Sequence, residues 1–162
     1  MHLPAQDEDE DIVVQIARDF KQIRIRQAGL RDLVRRICRR YKLKRAVVGI
    51  AIVGDARIRK LNRRFLARSS TSDCLSFDLS DNKGPRAWRC FELVVNGAMA
   101  VRQARARGHS GQAELALYVT HALLHNLGFD DSTKRRARRM HDIEDQILQE
   151  AGYGSVYNTG RG

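Results

Sequence analysis

Apolar residues recur along this chain at spacings that change from segment to segment, and each spacing predicts an element. Between residues 30 and 41 they fall at 30, 33, 34, 37, 38 and 41, a period near 3.6 that predicts a helix. Its opposite face carries Arg31, Arg35, Arg36, Arg39 and Arg40. Arg45–Val53 is β-branched and apolar throughout and reads as a buried strand. Residues 12–16, 74–78 and 90–95 give three more strand candidates. Asp55 is placed to cap a helix whose apolar face is Ile58, Leu61 and Phe65. Residues 69–72 are a polar break, and residues 81–85 have turn chemistry. A helix over residues 97–107 stops at Gly108, and Ser110 then caps another, with Glu114 in its first turn. A last helix begins at Ser132 or Thr133, places Ala137, Met140, Ile143, Ile147 and Ala151 on the core, and ends at Gly152.

The helix after Ser110 is apolar on most sides, through Leu115, Leu117, Val119, Ala122, Leu123, Leu124 and Leu127. A helix of that kind is buried. It also carries His121 and His125, four residues apart and so on one face. Gly128 is placed to end it in a left-handed turn, after which the chain can swing Asp131 back towards the two imidazoles. Two nitrogens and one carboxylate oxygen make a three-ligand set with a fourth position open to water, the pattern of catalytic rather than structural zinc. One zinc ion, held by His121, His125 and Asp131, is the expected cofactor.

At 162 residues and 43% hydrophobic content, the chain suits one folded domain. Strands come early and helices dominate late, which predicts an α+β fold. Residues 1–11 are expected to be a disordered acidic leader, residues 12–152 the folded domain and residues 153–162 a flexible tail. No apolar run in the first half is long enough to span a bilayer, and the acidic start is unlike a signal peptide, so a cytoplasmic location is expected. Cys38, Cys74 and Cys90 are odd in number with no C-x-x-C pair, which fits reduced thiols.

Charge changes the picture most. The net balance is +11, and five of the 19 acids sit together at Asp7, Glu8, Asp9, Glu10 and Asp11. The remainder sets 30 basic residues against 14 acids, or +16. Such a surface attracts polyanions, with nucleic acid the first candidate. Aromatics are only 6%, so base stacking on an aromatic platform is not the obvious binding mode. Arg35, Arg36 and Arg39 form either a solvated helix face or a phosphate-binding stripe. Lys134, Arg135, Arg136, Arg138 and Arg139 crowd a helix start, where the macrodipole disfavours cations. A polyanion docked over the metal would explain them, and so would a tolerated solvated face.

The spacing H-x-x-x-H-x-x-G-x-x-D also occurs in metzincin peptidases, which keep a glutamate after the first histidine as general base. Here that position is Ala122, so a peptidase reading lacks its proton acceptor. A closer resemblance is to the YbeY family, metal-dependent endoribonucleases of ribosomal RNA maturation, whose motif reads H-G-x-L-H-L-x-G-x-D-H. His121, Leu124, His125, Gly128 and Asp130 match it. Leu61 and Asn62 with Phe65, then Asp73, Cys74, Leu75, Ser76 and Phe77, are similar to the family's L-N-x-x-Y-R and T-D-V-L-S-F segments. Gly108, His109 and Ser110 also fit. The resemblance implies a mixed β-sheet packed with helices and a central metal-binding helix. The chain departs from the family in having Asp131 for the third histidine, Leu66 for the arginine after the aromatic residue, Glu92 in place of an aspartate, and Asp78 for a proline. Aspartate for histidine leaves one less net positive charge and a less Lewis-acidic metal.

The resulting expectation is a zinc-dependent, single-strand-directed endoribonuclease of ribosomal RNA maturation (processing of the 16S 3′ end) and ribosome quality control. Its partners would be RNA and the small ribosomal subunit, with no membrane and no nucleotide cofactor. Asp130 would carry a proton or else cap and orient the turn. Arg68 would stand in for the missing arginine. Arg35, Arg36, Arg39, Lys134, Arg135 and Arg138 would bind RNA. The competing expectations are a non-catalytic ribosome- or RNA-binding protein with a structural metal and, further off, a metallopeptidase.

Overall fold

The computed structural model describes residues 11–154. Most of the expected acidic leader and of the expected C-terminal tail, residues 1–10 and 155–162, lies outside them. The elements run β1 (Asp11–Arg18), α1 (Gln27–Arg40), β2 (Arg45–Val53), α2 (Asp55–Leu66), β3 (Cys74–Asp78), β4 (Arg89–Asn96), α3 (Gly97–Arg107), α4 (Gly111–Asn126) and α5 (Lys134–Glu150). The sheet has the order β1-β2-β4-β3, parallel from β1 to β4, with β3 added antiparallel at one edge. It is the mixed sheet of a single α+β domain.

Alternation along the strands gives the sheet two unlike faces. Ala46, Val48, Ile50 and Ile52 of β2 join Phe91, Leu93 and Val95 of β4 in one large core with residues from α1, α3, α4 and α5. The opposite face has a much smaller cluster, in which Val53, Ile58 and Val94 are buried and Leu61, Leu75 and Phe77 pack around them. Among the described residues, α2 is the helix that packs on that side.

Helix α4 runs through the large core. Ser110 caps it, its Oγ accepting from the Ala113 N–H at 3.1 Å. Leu115, Leu123 and Leu124 are at most 1% exposed, and burial of each such side chain is worth about 1.5–3 kcal/mol. Glu114 is also buried within the first turn, where Arg107 pairs with its carboxylate and His109 hydrogen-bonds to it. At the other end, the Gly128 N–H bonds the His125 carbonyl and the Phe129 N–H bonds the Leu124 carbonyl, both at 3.1 Å. That paired closure needs the left-handed backbone Gly128 adopts, with φ of 100°.

Two local expectations need correction. Asp55 does not cap α2. Gly54 holds the cap position without a side-chain bond, and Asp55 lies inside the first turn. Its carboxylate instead accepts from Arg102 at 2.6 and 3.0 Å, from Asn96 Nδ2 at 2.8 Å and from Thr71 Oγ1 at 3.3 Å. These bonds tie α2, α3, the end of β4 and the loop before β3 into one knot, and they hold the Asp55 carboxyl well below its ordinary range, the Arg102 bond foremost. Helix α1 begins three residues before Leu30, at Gln27, and its first turn of Gln27, Ala28 and Gly29 carries no large apolar residue that would mark it by period. No helix among the described residues is long and apolar enough to cross a membrane.

Candidate metal centre

Three of the expected site residues come together. His121 and His125 face each other from successive turns of α4, their Nε2 atoms 3.0 Å apart. Asp131 Oδ2 lies 3.6 Å from the first and 3.8 Å from the second. A tetrahedral ion about 2.0–2.1 Å from each donor would space its donors about 3.3–3.4 Å apart. The observed triangle brackets that spacing. Among the described residues, this is the one group of three potential ligands close enough to hold a metal.

The outer nitrogen of each ring is already committed. His121 Nδ1 meets Glu144 Oε1 at 3.1 Å, and His125 Nδ1 meets the Phe129 carbonyl at 3.0 Å. A carboxylate and a carbonyl can only accept, so both Nδ1 atoms donate. In the neutral rings, both Nε2 lone pairs then point at one another and at the Asp131 carboxylate. A carboxylate or carbonyl behind each ligating imidazole is the usual support of a metal site.

The backbone explains how Asp131 arrives there. Gly128 turns the chain at the end of α4, which brings the Phe129 carbonyl back over His125. The Phe129 ring packs edge-on against Tyr41 with centroids 5.3 Å apart, anchoring the turn on α1. Asp130 then accepts from the Ser132 N–H at 3.0 Å, the Ser132 hydroxyl at 2.7 Å and Arg136 at 2.9 Å. Those bonds, Ser132 first, hold its carboxyl below the ordinary range. Thr133 caps α5 by accepting from the Arg136 N–H. Asp131 is left between these two fixed points.

Within a strongly basic protein, this centre is negative. Burial alone would lower the His121 pKa, but the hydrogen bond and charge of Glu144, with Asp73 and Asp131, carry it above its ordinary value. Burial first, and then Asp73, Glu144 and Asp131, push the Cys74 thiol up, so it is an unreactive neighbour. A cavity of about 240 Å³ adjoins His121, with Asp73, Tyr118, His141 and Glu144 in its wall. The ligand side chains become progressively more exposed outwards, at 16% for His121, 30% for His125 and 45% for Asp131. The triangle therefore opens to solvent on the Asp131 side.

The other expected residues are spread out. Arg68 is exposed just beyond α2, after the left-handed Ala67. Arg36 and Arg39 line a groove between α1 and α5 with Ile147 and Glu150, and Arg35 is half-buried on the same helix. In that groove Arg40 bonds Gln146 at 2.8 Å. Lys134, Arg135 and Arg138 are exposed on the first turns of α5, next to the Asp131 turn.

Glu144 was not among the candidates. It is 1% exposed, and its Oε1 also lies 3.3 Å from His141 Nδ1. Its signal was present: four residues after Met140, it falls in the core-facing stripe of α5, where a carboxylate needs a buried partner.

The chain was compared with known proteins. The family model described as Endoribonuclease YbeY matches residues 15–152. A relative from Myxococcus xanthus, named Endoribonuclease YbeY, is 31% identical over 153 residues, covering 90% of this chain and 49% of the relative. One of the same name from Anaeromyxobacter sp. is 38% identical over 107 residues, covering 66% of this chain and 55% of the relative. This chain thus spans about half the length of these two curated relatives. A third, from Caldanaerobacter subterraneus, is 27% identical and is covered over 95% of its length, with 83% of this chain. The solution structure of TM1509 from Thermotoga maritima shares the fold, with a TM-score of 0.54 and 21% identity over 85% of this chain and 91% of that one.

Proposed function

This chain belongs to the YbeY family, and from that premise we propose that it is a zinc-dependent endoribonuclease that cuts single-stranded RNA in ribosomal RNA maturation. The observation that carries the reading is the triangle of His121, His125 and Asp131, with both imidazole Nδ1 atoms bonded outwards and both Nε2 atoms converging on Asp131. These three residues would hold one zinc ion. Bound there, the ion would supply Lewis-acid polarisation of a phosphoryl oxygen and stabilise developing negative charge.

The chain's own residues divide the remaining work. Glu144 and the Phe129 carbonyl orient the two imidazoles. Asp130, with both oxygens engaged and its pKa lowered, holds the turn that presents Asp131, so we assign it the orienting role rather than that of proton carrier. Lys134, Arg135 and Arg138 flank that turn and would draw the phosphate backbone to the open side of the triangle. Arg35, Arg36 and Arg39 would extend RNA contact along α1. The relatives' name speaks of endoribonucleases. Processing of the 16S 3′ end, a part in ribosome quality control, the small subunit as partner and a cytoplasmic location are the specific form we propose for this chain. The test is cleavage of unstructured RNA with zinc present. His121→Ala is expected to lose it, and equal rates would sink the metal mechanism.

One observation favours a second reading, a non-catalytic RNA-binding protein with a structural metal. Leu66 stands where the family has arginine, and it is 50% exposed rather than built into a core. Arg68, the nearest replacement, follows a left-handed residue that redirects the chain. Leu66→Arg separates the two readings. At so exposed a site the change costs under about 0.5 kcal/mol of stability. On the enzymatic reading it raises the cleavage rate, and on the other reading cleavage stays absent.

A further inference from the structure

We infer that the exposed face of α2 and the aromatic pair Phe65–Phe77 form a docking platform for single-stranded RNA, feeding the strand to the histidine cluster around the edge of the sheet. The inference rests on the endoribonuclease reading above and names where its substrate is held.

Phe65 is 53% exposed, although burial of such a ring would be worth about 1.5–3 kcal/mol. It is nonetheless held in place. Its ring meets Phe77 edge-on with centroids 5.4 Å apart, and Phe77 is packed on the cluster of Val53, Ile58 and Val94. The Arg64 guanidinium lies 5.3 Å from the centre of the Phe65 ring. A supported aromatic ring beside an arginine is the arrangement on which nucleobases stack, and stacking tolerates any base.

The surrounding charge selects the occupant. Arg57, Arg59, Lys60, Arg63, Arg64 and Arg68 are all exposed. The one acid of α2, Asp55, is taken by Arg102. No salt bridge joins any of the six cations to a carboxylate among the described residues. A second copy of this chain would bring its own +11 to such a face and be repelled, whereas an RNA backbone neutralises it and releases counterions.

Position links the platform to the chemistry. Strand β3 packs against α4, the helix that carries His121 and His125, and begins at Cys74, on the side of the large core. Phe77 lies three residues further along, about 10 Å at strand spacing, and faces the other side of the sheet. The loop between α2 and β3 carries Arg68 and the polar residues 69–72 from one to the other. That loop is the route by which an RNA strand stacked on Phe65 would round the β3 edge of the sheet toward α4.

The test is equilibrium binding of a short, unstructured oligoribonucleotide to the full chain stripped of metal, read by fluorescence anisotropy. Phe65→Leu keeps apolar bulk and removes the ring. It is expected to bind about tenfold more weakly with an unchanged salt slope. Phe65→Trp should restore the wild-type affinity. Replacing Arg63 and Arg64 by Gln should lower the salt slope by about 1.4. Wild-type affinity in Phe65→Leu would overturn the proposal. So would a change in self-association, seen by sedimentation, with RNA affinity untouched, because the face would then be a protein interface. Because the assay contains no metal and reads no cleavage, failure of the zinc mechanism would leave this result standing, and the reverse also holds.

Discussion

The two faces of the sheet solve different problems with the same strands. On one face, β2 and β4 alternate Ala46, Val48, Ile50, Ile52, Phe91, Leu93 and Val95 into a core shared with four helices. On the other, α2 covers only part of the sheet, and Phe65 and Leu66 stay half in water among cations. The deep face carries the histidines, on a helix whose apolar residues are almost all out of solvent. The shallow face carries the exposed cations of α2, which form no salt bridge to a carboxylate among the described residues. Ligands must be held to within fractions of an ångström, so they belong where packing and a layer of hydrogen bonds lock every rotamer. Docking a long, flexible polyanion needs reach and counterion release instead, which an exposed helix provides.

Substitutions on the two faces should therefore fail in different ways. The largest expected effect is on stability. Leu123→Ala, at the centre of the deep core, should destabilise the fold by about 2–5 kcal/mol in urea unfolding. Phe65→Ala on the shallow face, which loses a half-exposed ring and its contact with Phe77, should cost only about 1 kcal/mol. Comparable losses at both sites would refute the contrast. Next comes the support behind the metal. Glu144→Gln keeps the shape but leaves no charge behind the His121 imidazole. It should weaken zinc affinity about 10- to 100-fold by competition with a chelator, and an unchanged affinity would remove Glu144 from the site.

The knot at Asp55 joins the faces and should give a smaller effect. Asp55→Asn loses the charge-assisted bonds to Arg102 and should cost about 2 kcal/mol. The Asp55 carboxyl is lowered in the fold, so its contribution is present above the unfolded value near 3.8 and is lost as pH falls further towards the folded value. Wild type should thus lose stability relative to Asp55→Asn below about pH 4, measured as unfolding midpoints against pH. Parallel profiles would contradict the role given to Asp55. Asp78, held at about 2 mainly by its Ser80 and Arg89 bonds against the upward pull of burial, should show the same direction to a lesser extent in Asp78→Asn.

What could be read from the chain beforehand was whatever is decided within a few residues. The bounds of β2 and α3, the Ser110 cap, the stop at Gly108 and the left-handed turn at Gly128 follow from period, capping chemistry and glycine. So did the candidate triangle, because i, i+4 on a helix is a local geometry. Residues whose role depends on distant partners were not legible in this way. Asp55 looked like a helix cap because nothing nearby announces Arg102, 47 residues on. Glu144 stands in the core-facing stripe of α5, but its partner, His121, sits 23 residues earlier on another helix, so spacing alone shows a buried carboxylate and not what it supports. The exposed Phe65 read as core, since amphipathic periodicity cannot tell which end of a helix overhangs the sheet. The strand order, with β3 added antiparallel at the edge next to the histidines, is likewise a product of long-range pairing.

The account stands on the claim that His121, His125 and Asp131 hold a zinc ion. Metal analysis of the purified protein, beside His125→Ala, at a pH above the histidine range tests it most directly. The account predicts one zinc per chain in the wild type and essentially none in the variant. A wild type without stoichiometric metal, or a variant that retains it, would contradict it.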